Sequence, residues 1–272
     1  MIPARFDYEV ADSVEGAIQL LGSGRDAKVL AGGHSLLPLM KLRLARPELL
    51  VDIGRLSELA YVRDDGDRIA VGALTRHHDL EHDEVVRTGC AILAHTAGLI
   101  GDPQVRHRGT IGGSVAHGDP ASDLPTVLLA LDAELVVRGA EGERTVPAAD
   151  FFTGFLETAL GPQEILTEIR VPKATGGWSY LKFNRRAQDW ATVGVAVVAD
   201  GTPRVALTSM GPTPLRARGV EEALAGGADA EQAAERAAEE TSPPSDANGS
   251  TEYRRHLARV LVTRALEEAA AQ

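Results

Sequence analysis

The stretch Ala31-Gly32-Gly33-His34-Ser35-Leu36-Leu37-Pro38 follows the apolar run Val29-Leu30 and pairs adjacent glycines with a hydroxyl residue. A second stretch, Thr110-Ile111-Gly112-Gly113-Ser114, has the same make-up and runs on to Gly118-Asp119-Pro120-Ala121-Ser122-Asp123. Backbone without side chains lets main-chain N–H groups surround an anionic oxygen. Two such segments in one chain read as a clamp on a pyrophosphate from both sides, hence as a dinucleotide site. Either Gly-Gly taken singly is equally well explained as a plain turn.

Working outward, residues 1–31 read strand, helix, strand. Asp12 with Glu15 resembles a capping box, and Val14, Ala17, Ile18 and Leu21 fall on one helical face. Residues 49–53 and 68–73 read as strands, Thr75 as the N-cap of a helix to His82, and 85–100 as one longer helix. The second glycine segment then forms a loop, followed by a helix over 123–131 and strands over 133–138 and 164–171. A linker composition at 173–178 precedes strands over 179–183, 192–199 and 205–210. The remainder is helical around a Ser/Pro/Gly loop at 241–250, with 228–240 expected as a solvated surface helix.

Composition excludes several function classes. A formal charge of −11 over 272 residues argues against nucleic acid and anionic membrane surfaces. No apolar run reaches the roughly 20 residues of a membrane span, and the first residues lack a signal-peptide profile, so a cytoplasmic location is expected. The one cysteine, Cys90, excludes an iron–sulfur cluster held by four thiolates of this chain, and its apolar surroundings favour a buried structural residue over a nucleophile. Neither glycine segment fits G-x-G-x-x-G opening a helix, and a Walker A loop is missing. His77, His78 and His82 invite a metal reading, but no third ligand is placed, and a solvated helix face is preferred. Ser35 beside His34 lacks the G-x-S-x-G context of a hydrolase. Asp123 reads either as a cap for the following helix or as a partner of a ribityl or ribose hydroxyl.

With both glycine segments in this order, together with Arg108-Gly109, Asp123-Leu124-Pro125, Lys182-Phe183 and Asp189-Trp190-Ala191, nearly the whole chain resembles the medium, FAD-binding subunit of the molybdenum hydroxylases. The resemblance is to the carbon monoxide dehydrogenase medium subunit and the matching segment of xanthine dehydrogenase. It implies an α+β fold: a two-part vanillyl-alcohol-oxidase-type (PCMH-type) FAD-binding domain over residues 1–174, and a small α+β C-terminal domain over 175–272. It implies FAD as cofactor, with the pyrophosphate between residues 31–38 and 110–114. Asp123, Ile100, Leu166 and Lys182 match positions near FAD, and Asp189 and Trp190 match a loop by the flavin ring. Each has a bland alternative: Ile100 and Leu166 as core, Lys182 as surface charge, Trp190 as packing. Ser114 departs from the pattern, since many relatives carry Asn there. The implied partners are a molybdopterin-binding large subunit and a 2Fe-2S small subunit in a doubled heterotrimer, with this chain passing electrons from the clusters to an external acceptor. Competing readings are a self-sufficient flavin reductase acting on a nucleotide-sugar enol ether, and a scaffold that lost its cofactor.

Overall fold

In the computed structural model, which describes residues 2–272 and leaves Met1 outside the described residues, the chain opens on a three-stranded parallel sheet. Strand Leu49–Asp52 lies in its centre, between Asp7–Val10 and Ala27–Leu30. Helix Val14–Leu21 buries Val14, Ala17, Ile18 and Leu21 as the periodicity predicts. Its cap is Ser13 rather than Asp12: the Ser13 hydroxyl accepts from the Gly16 N–H at 3.0 Å. Ser13 sits one residue closer to the helix, where its oxygen reaches the third N–H.

A five-stranded antiparallel sheet follows, in the order Val62–Asp64, Arg68–Gly72, Ile165–Pro172, Glu134–Gly139, Gly142–Pro147. The last strand is almost wholly exposed, so its sequence alternates too weakly to mark it as a strand. Between the second and fourth of these strands lies a run of short helices. Helix His77–His82 is capped by the backbone at Arg76, whereas Thr75 turns its hydroxyl to the Tyr61 carbonyl at 2.9 Å. The long helix expected over 85–100 is two, Glu84–Gly89 and Ala91–Gly98. They break at Cys90, whose non-helical backbone (φ −155°, ψ 66°) pairs in a bridge with Ala174.

Residues beyond Gly177 form a four-stranded antiparallel sheet, Gly177–Phe183, Val193–Ala199, Arg204–Thr208 and Leu215–Arg216. In strand Val193–Ala199 successive side chains point to opposite faces. Val193, Val195 and Val197 pack under the 20-residue helix Thr251–Ala270, while Ala196 and Val198 join the main core with helix Asp123–Ala130. The sheet is thus covered on both sides. The segment at 228–240 is less solvated than its charge implies: Ala233, Ala234 and Ala237 are buried in that second core, because small side chains let a charged helix approach closely. No helix among the described residues is long and apolar enough to cross a membrane.

Candidate functional site

The first glycine segment leaves strand Ala27–Leu30, turns at Gly33 (φ +79°) and enters helix Leu36–Lys41. A left-handed φ is inexpensive only for glycine. The backbone N–H groups of Gly32, Gly33, His34 and Ser35 donate to no acceptor among the described residues. Four consecutive free amides around a left-handed turn are the chemistry of an anion nest, and Ala31, Leu36, Leu37 and Pro38 flank them.

The second segment behaves differently. It is not a loop but the first turn of helix Ile111–His117, capped by Thr110, whose hydroxyl accepts from the Gly113 N–H at 3.1 Å. The Ile111 N–H donates to the Thr75 carbonyl at 3.0 Å, that of Gly112 to Ala73 at 2.9 Å, and that of Ser114 to Thr110 at 3.1 Å. The amides of Ile111, Gly112, Gly113 and Ser114 are therefore spoken for within the protein, and in this segment only that of Thr110 donates to no acceptor among the described residues. Gly112 serves close packing instead: a Cβ on it would stand 2.5 Å from the Ala73 Cβ and 2.6 Å from the Ala73 carbonyl oxygen. The two segments nevertheless meet. A Cβ on Gly32 would lie 2.3 Å from the Arg108 carbonyl oxygen and 2.8 Å from the Gly109 Cα. The Arg76 guanidinium also donates to that Arg108 carbonyl. The amide nest is thus one-sided, seated on a backbone platform made by residues 108–112.

Beneath the platform lies His77, which the sequence grouped with a metal reading. It is 2 % exposed, its N–H donates to the Gly109 carbonyl at 3.1 Å, and its Nε2 lies 3.2 Å from the Ser114 hydroxyl. Burial, helped by the nearby charges of His34, Arg106 and Arg76, pulls its pKa down to about 4. The imidazole is neutral at pH 7. A depressed histidine favours the folded state fully above its ordinary value of 6.5, and that contribution is lost as pH falls from 6.5 toward about 4. The chain is therefore expected to lose stability across this window, and His77→Gln to flatten the loss, as read by urea midpoints at pH 5 and pH 7.5. Parallel pH profiles for both proteins would sink this assignment.

A second constellation forms where the two halves of the chain touch. Asp123 opens helix Asp123–Ala130 with its carboxylate buried. One oxygen accepts from the Tyr180 hydroxyl at 2.7 Å and the other from the Lys182 ammonium at 2.8 Å. Lys182 also reaches the Leu99 carbonyl at 3.3 Å, next to Ile100. Tyr180 and Lys182 are two apart on strand Gly177–Phe183, so both point to the same face. Burial pushes the Asp123 carboxyl up, offset by the Lys182 ammonium and the hydrogen bonds it accepts. Burial beside Asp123 raises the Tyr180 phenol well above its ordinary value. Ser122 rather than Asp123 holds the cap position, and each Asp123 carboxylate oxygen has a protein partner.

Leu166 is buried in the main core beside a bulge in strand Ile165–Pro172, and Ile100 packs against the same core. Asp189 pairs with Arg186 at 2.9 Å on the connector after Phe183, and Trp190 is 55 % exposed there. No hydrogen bond joins Asp189 or Trp190 to either glycine segment among the described residues. Sequence reasoning missed Tyr180 and Arg76. The two-residue spacing of Tyr180 from Lys182 was the available signal for the first; nothing local marked the second.

Comparison of the whole chain with known proteins identifies its family. Residues 4–174 match the family described as the FAD binding domain in molybdopterin dehydrogenase. This chain belongs to that family. Residues 178–269 match the CO dehydrogenase flavoprotein C-terminal domain. Among relatives of this FAD-binding family, the carbon monoxide dehydrogenase medium chain of Hydrogenophaga pseudoflava is 46% identical, covering 99% of this chain and 98% of that one. The glyceraldehyde dehydrogenase medium chain of Sulfolobus acidocaldarius is 38% identical over 99% of this chain and 100% of its own length. In structure, the carbon monoxide dehydrogenase of Hydrogenophaga pseudoflava which lacks the Mo-pyranopterin moiety superimposes with a TM-score of 0.96 at 47% identity, covering 100% of this chain and 99% of that chain. Quinoline 2-oxidoreductase from Pseudomonas putida 86 reaches 0.93 at 32% identity, covering 100% and 99% respectively. The chain is accordingly an oxidoreductase subunit of the FAD-binding, carbon monoxide dehydrogenase-like class.

Proposed function

We propose that this chain is the electron outlet of a molybdenum hydroxylase, taking electrons from 2Fe-2S clusters of a small partner subunit onto FAD and passing them to an external acceptor. The observation that carries this reading is the run of free amides at Gly32–Ser35 seated on the 108–112 platform. A pyrophosphate supplies the missing acceptors. FAD, when bound, accepts electrons singly and releases them as a pair. Thr110 and Ser114 offer hydroxyls at the edge of the platform, and the neutral His77 holds the Ser114 hydroxyl. Asp123, locked by Tyr180 and Lys182, ties the cofactor side of the chain to the C-terminal sheet. Ile100 and Leu166 would supply apolar wall, and the loop carrying Asp189 and Trp190 would lie near the flavin ring. With a single thiol, the buried Cys90 pushed up to about 12 by desolvation, this chain cannot ligate a cluster itself. In this reading cluster and molybdopterin belong to small and large partner subunits in a doubled heterotrimer, as the family resemblance implies. We take the domain division at 174/175, a choice supported by one sheet ending at Pro172 and the next beginning at Gly177.

The test is the visible absorption spectrum of the purified chain, with chromatography of the nucleotide released on denaturation. Stoichiometric FAD supports the reading; no flavin, even after reconstitution with FAD, overturns it. Trp190→Ala is expected to keep FAD while changing the rate at which reduced flavin is reoxidised by external acceptors. Unchanged stopped-flow reoxidation would show that Trp190 only packs.

A further inference from the structure

Helix His77–His82 carries His78, Glu81 and His82 at spacings that place all three on one face. Their ligand atoms lie within 4.8 Å of one another. Two features prepare the set. The His82 Nδ1 is 2.8 Å from the His78 carbonyl oxygen, and the tautomer that donates this hydrogen bond leaves the Nε2 lone pair free. An imidazole whose other nitrogen donates to a carbonyl is the usual form of a metal-ligating histidine. The Arg106 Nε stands 3.0 Å from the Glu81 carboxylate, and the His107 ring lies 4.0 Å from that of His78, centroid to centroid, which limits its rotation. Both of these orienting groups come from the polar connector that leads to the second glycine segment.

We infer that His78, Glu81 and His82 form a binding site for one divalent transition ion of the zinc class, with water in the fourth position. Two imidazoles and a carboxylate suit zinc, whereas magnesium and calcium call for oxygen donors. Tetrahedral donors about 2.0–2.2 Å from zinc stand roughly 3.5 Å apart, so the present spread closes by small side-chain rotations of partly exposed groups. A bound ion braces a six-residue helix too short to be stable by itself. That helix begins with His77, which contacts Ser114, so the brace supports the platform under the amide nest. Its test does not depend on flavin content.

The experiment is isothermal titration of the chelator-treated full chain with zinc chloride, repeated on His82→Ala and Glu81→Gln. The wild-type chain is expected to take up a single zinc ion and to gain thermal stability with it. His82→Ala, which removes an exposed side chain, is expected to weaken binding on the order of 100-fold, since even outer partners of metal ligands are worth about 10–100-fold. Cobalt in place of zinc is expected to show the visible bands of a four-coordinate nitrogen and oxygen site. No uptake by the wild-type chain, or equal affinity in wild type and His82→Ala, overturns the proposal.

Discussion

Replacing Asp123 with Ala is expected to be the most damaging single change away from the glycines. The Asp123 and Lys182 side chains are only 5% and 7% exposed. Removing the carboxylate strands a buried ammonium and takes the acceptor from the Tyr180 hydroxyl. Breaking a buried ion pair from one side costs about 3–5 kcal/mol, because the remaining charge keeps its desolvation penalty and loses its partner. The loss should appear as a lower urea midpoint. The double variant Asp123→Leu with Lys182→Met removes both charges and should regain most of that stability, while flavin content stays low in both. A single variant as stable as wild type would mean that water already screens the pair. A double variant no better than the single would mean that shape rather than charge governs the site.

Gly32→Ala is expected to be the second large effect, and for a reason that lies inside the protein. The added methyl would stand 2.3 Å from a carbonyl oxygen and 2.8 Å from a Cα of residues 108 and 109. Backbone atoms cannot rotate aside as side chains can, so the first segment must lift off its platform. Overpacking of this kind costs about 1–3 kcal/mol or more, and it also displaces the free amides of residues 33–35. Gly113→Ala is the informative contrast. Its methyl meets only the Thr110 hydroxyl, at 2.7 Å, so its effect should be limited to a weakened helix cap, about 0.5–2 kcal/mol. FAD-to-protein ratio and melting temperature of the two variants check this. Equal flavin retention in both would show that docking of the two backbones does not shape the nest.

Much of the architecture is carried by local pattern. The buried face of helix Val14–Leu21 follows from periodicity, and the strands at Leu49–Asp52 and Ile165–Pro172 and the helix at Asp123–Ala130 follow from apolar runs. Apolar spacing reports directly which side faces a core. The places where local reading fell short are those ruled by distant partners. Cys90 breaks a helix because Ala174, far along the chain, pairs with its backbone. Thr75 gives up its cap position because Tyr61 offers a carbonyl.

The same division holds for the candidate site. Sequence alone determined that two Gly-Gly segments, Asp123 and Lys182 belong to one family pattern, and that a single cysteine cannot supply the four thiolates of an iron–sulfur cluster. Only the tertiary structure decided which glycine segment has amides to give, that the other is a packed helix turn, and that Asp123 faces Tyr180 and Lys182 instead of solvent. Composition and spacing fix which groups the chain possesses. Whether an N–H or a carboxylate is free depends on which carbonyl or ammonium the fold brings within 3 Å of it, and those partners lie dozens of residues away.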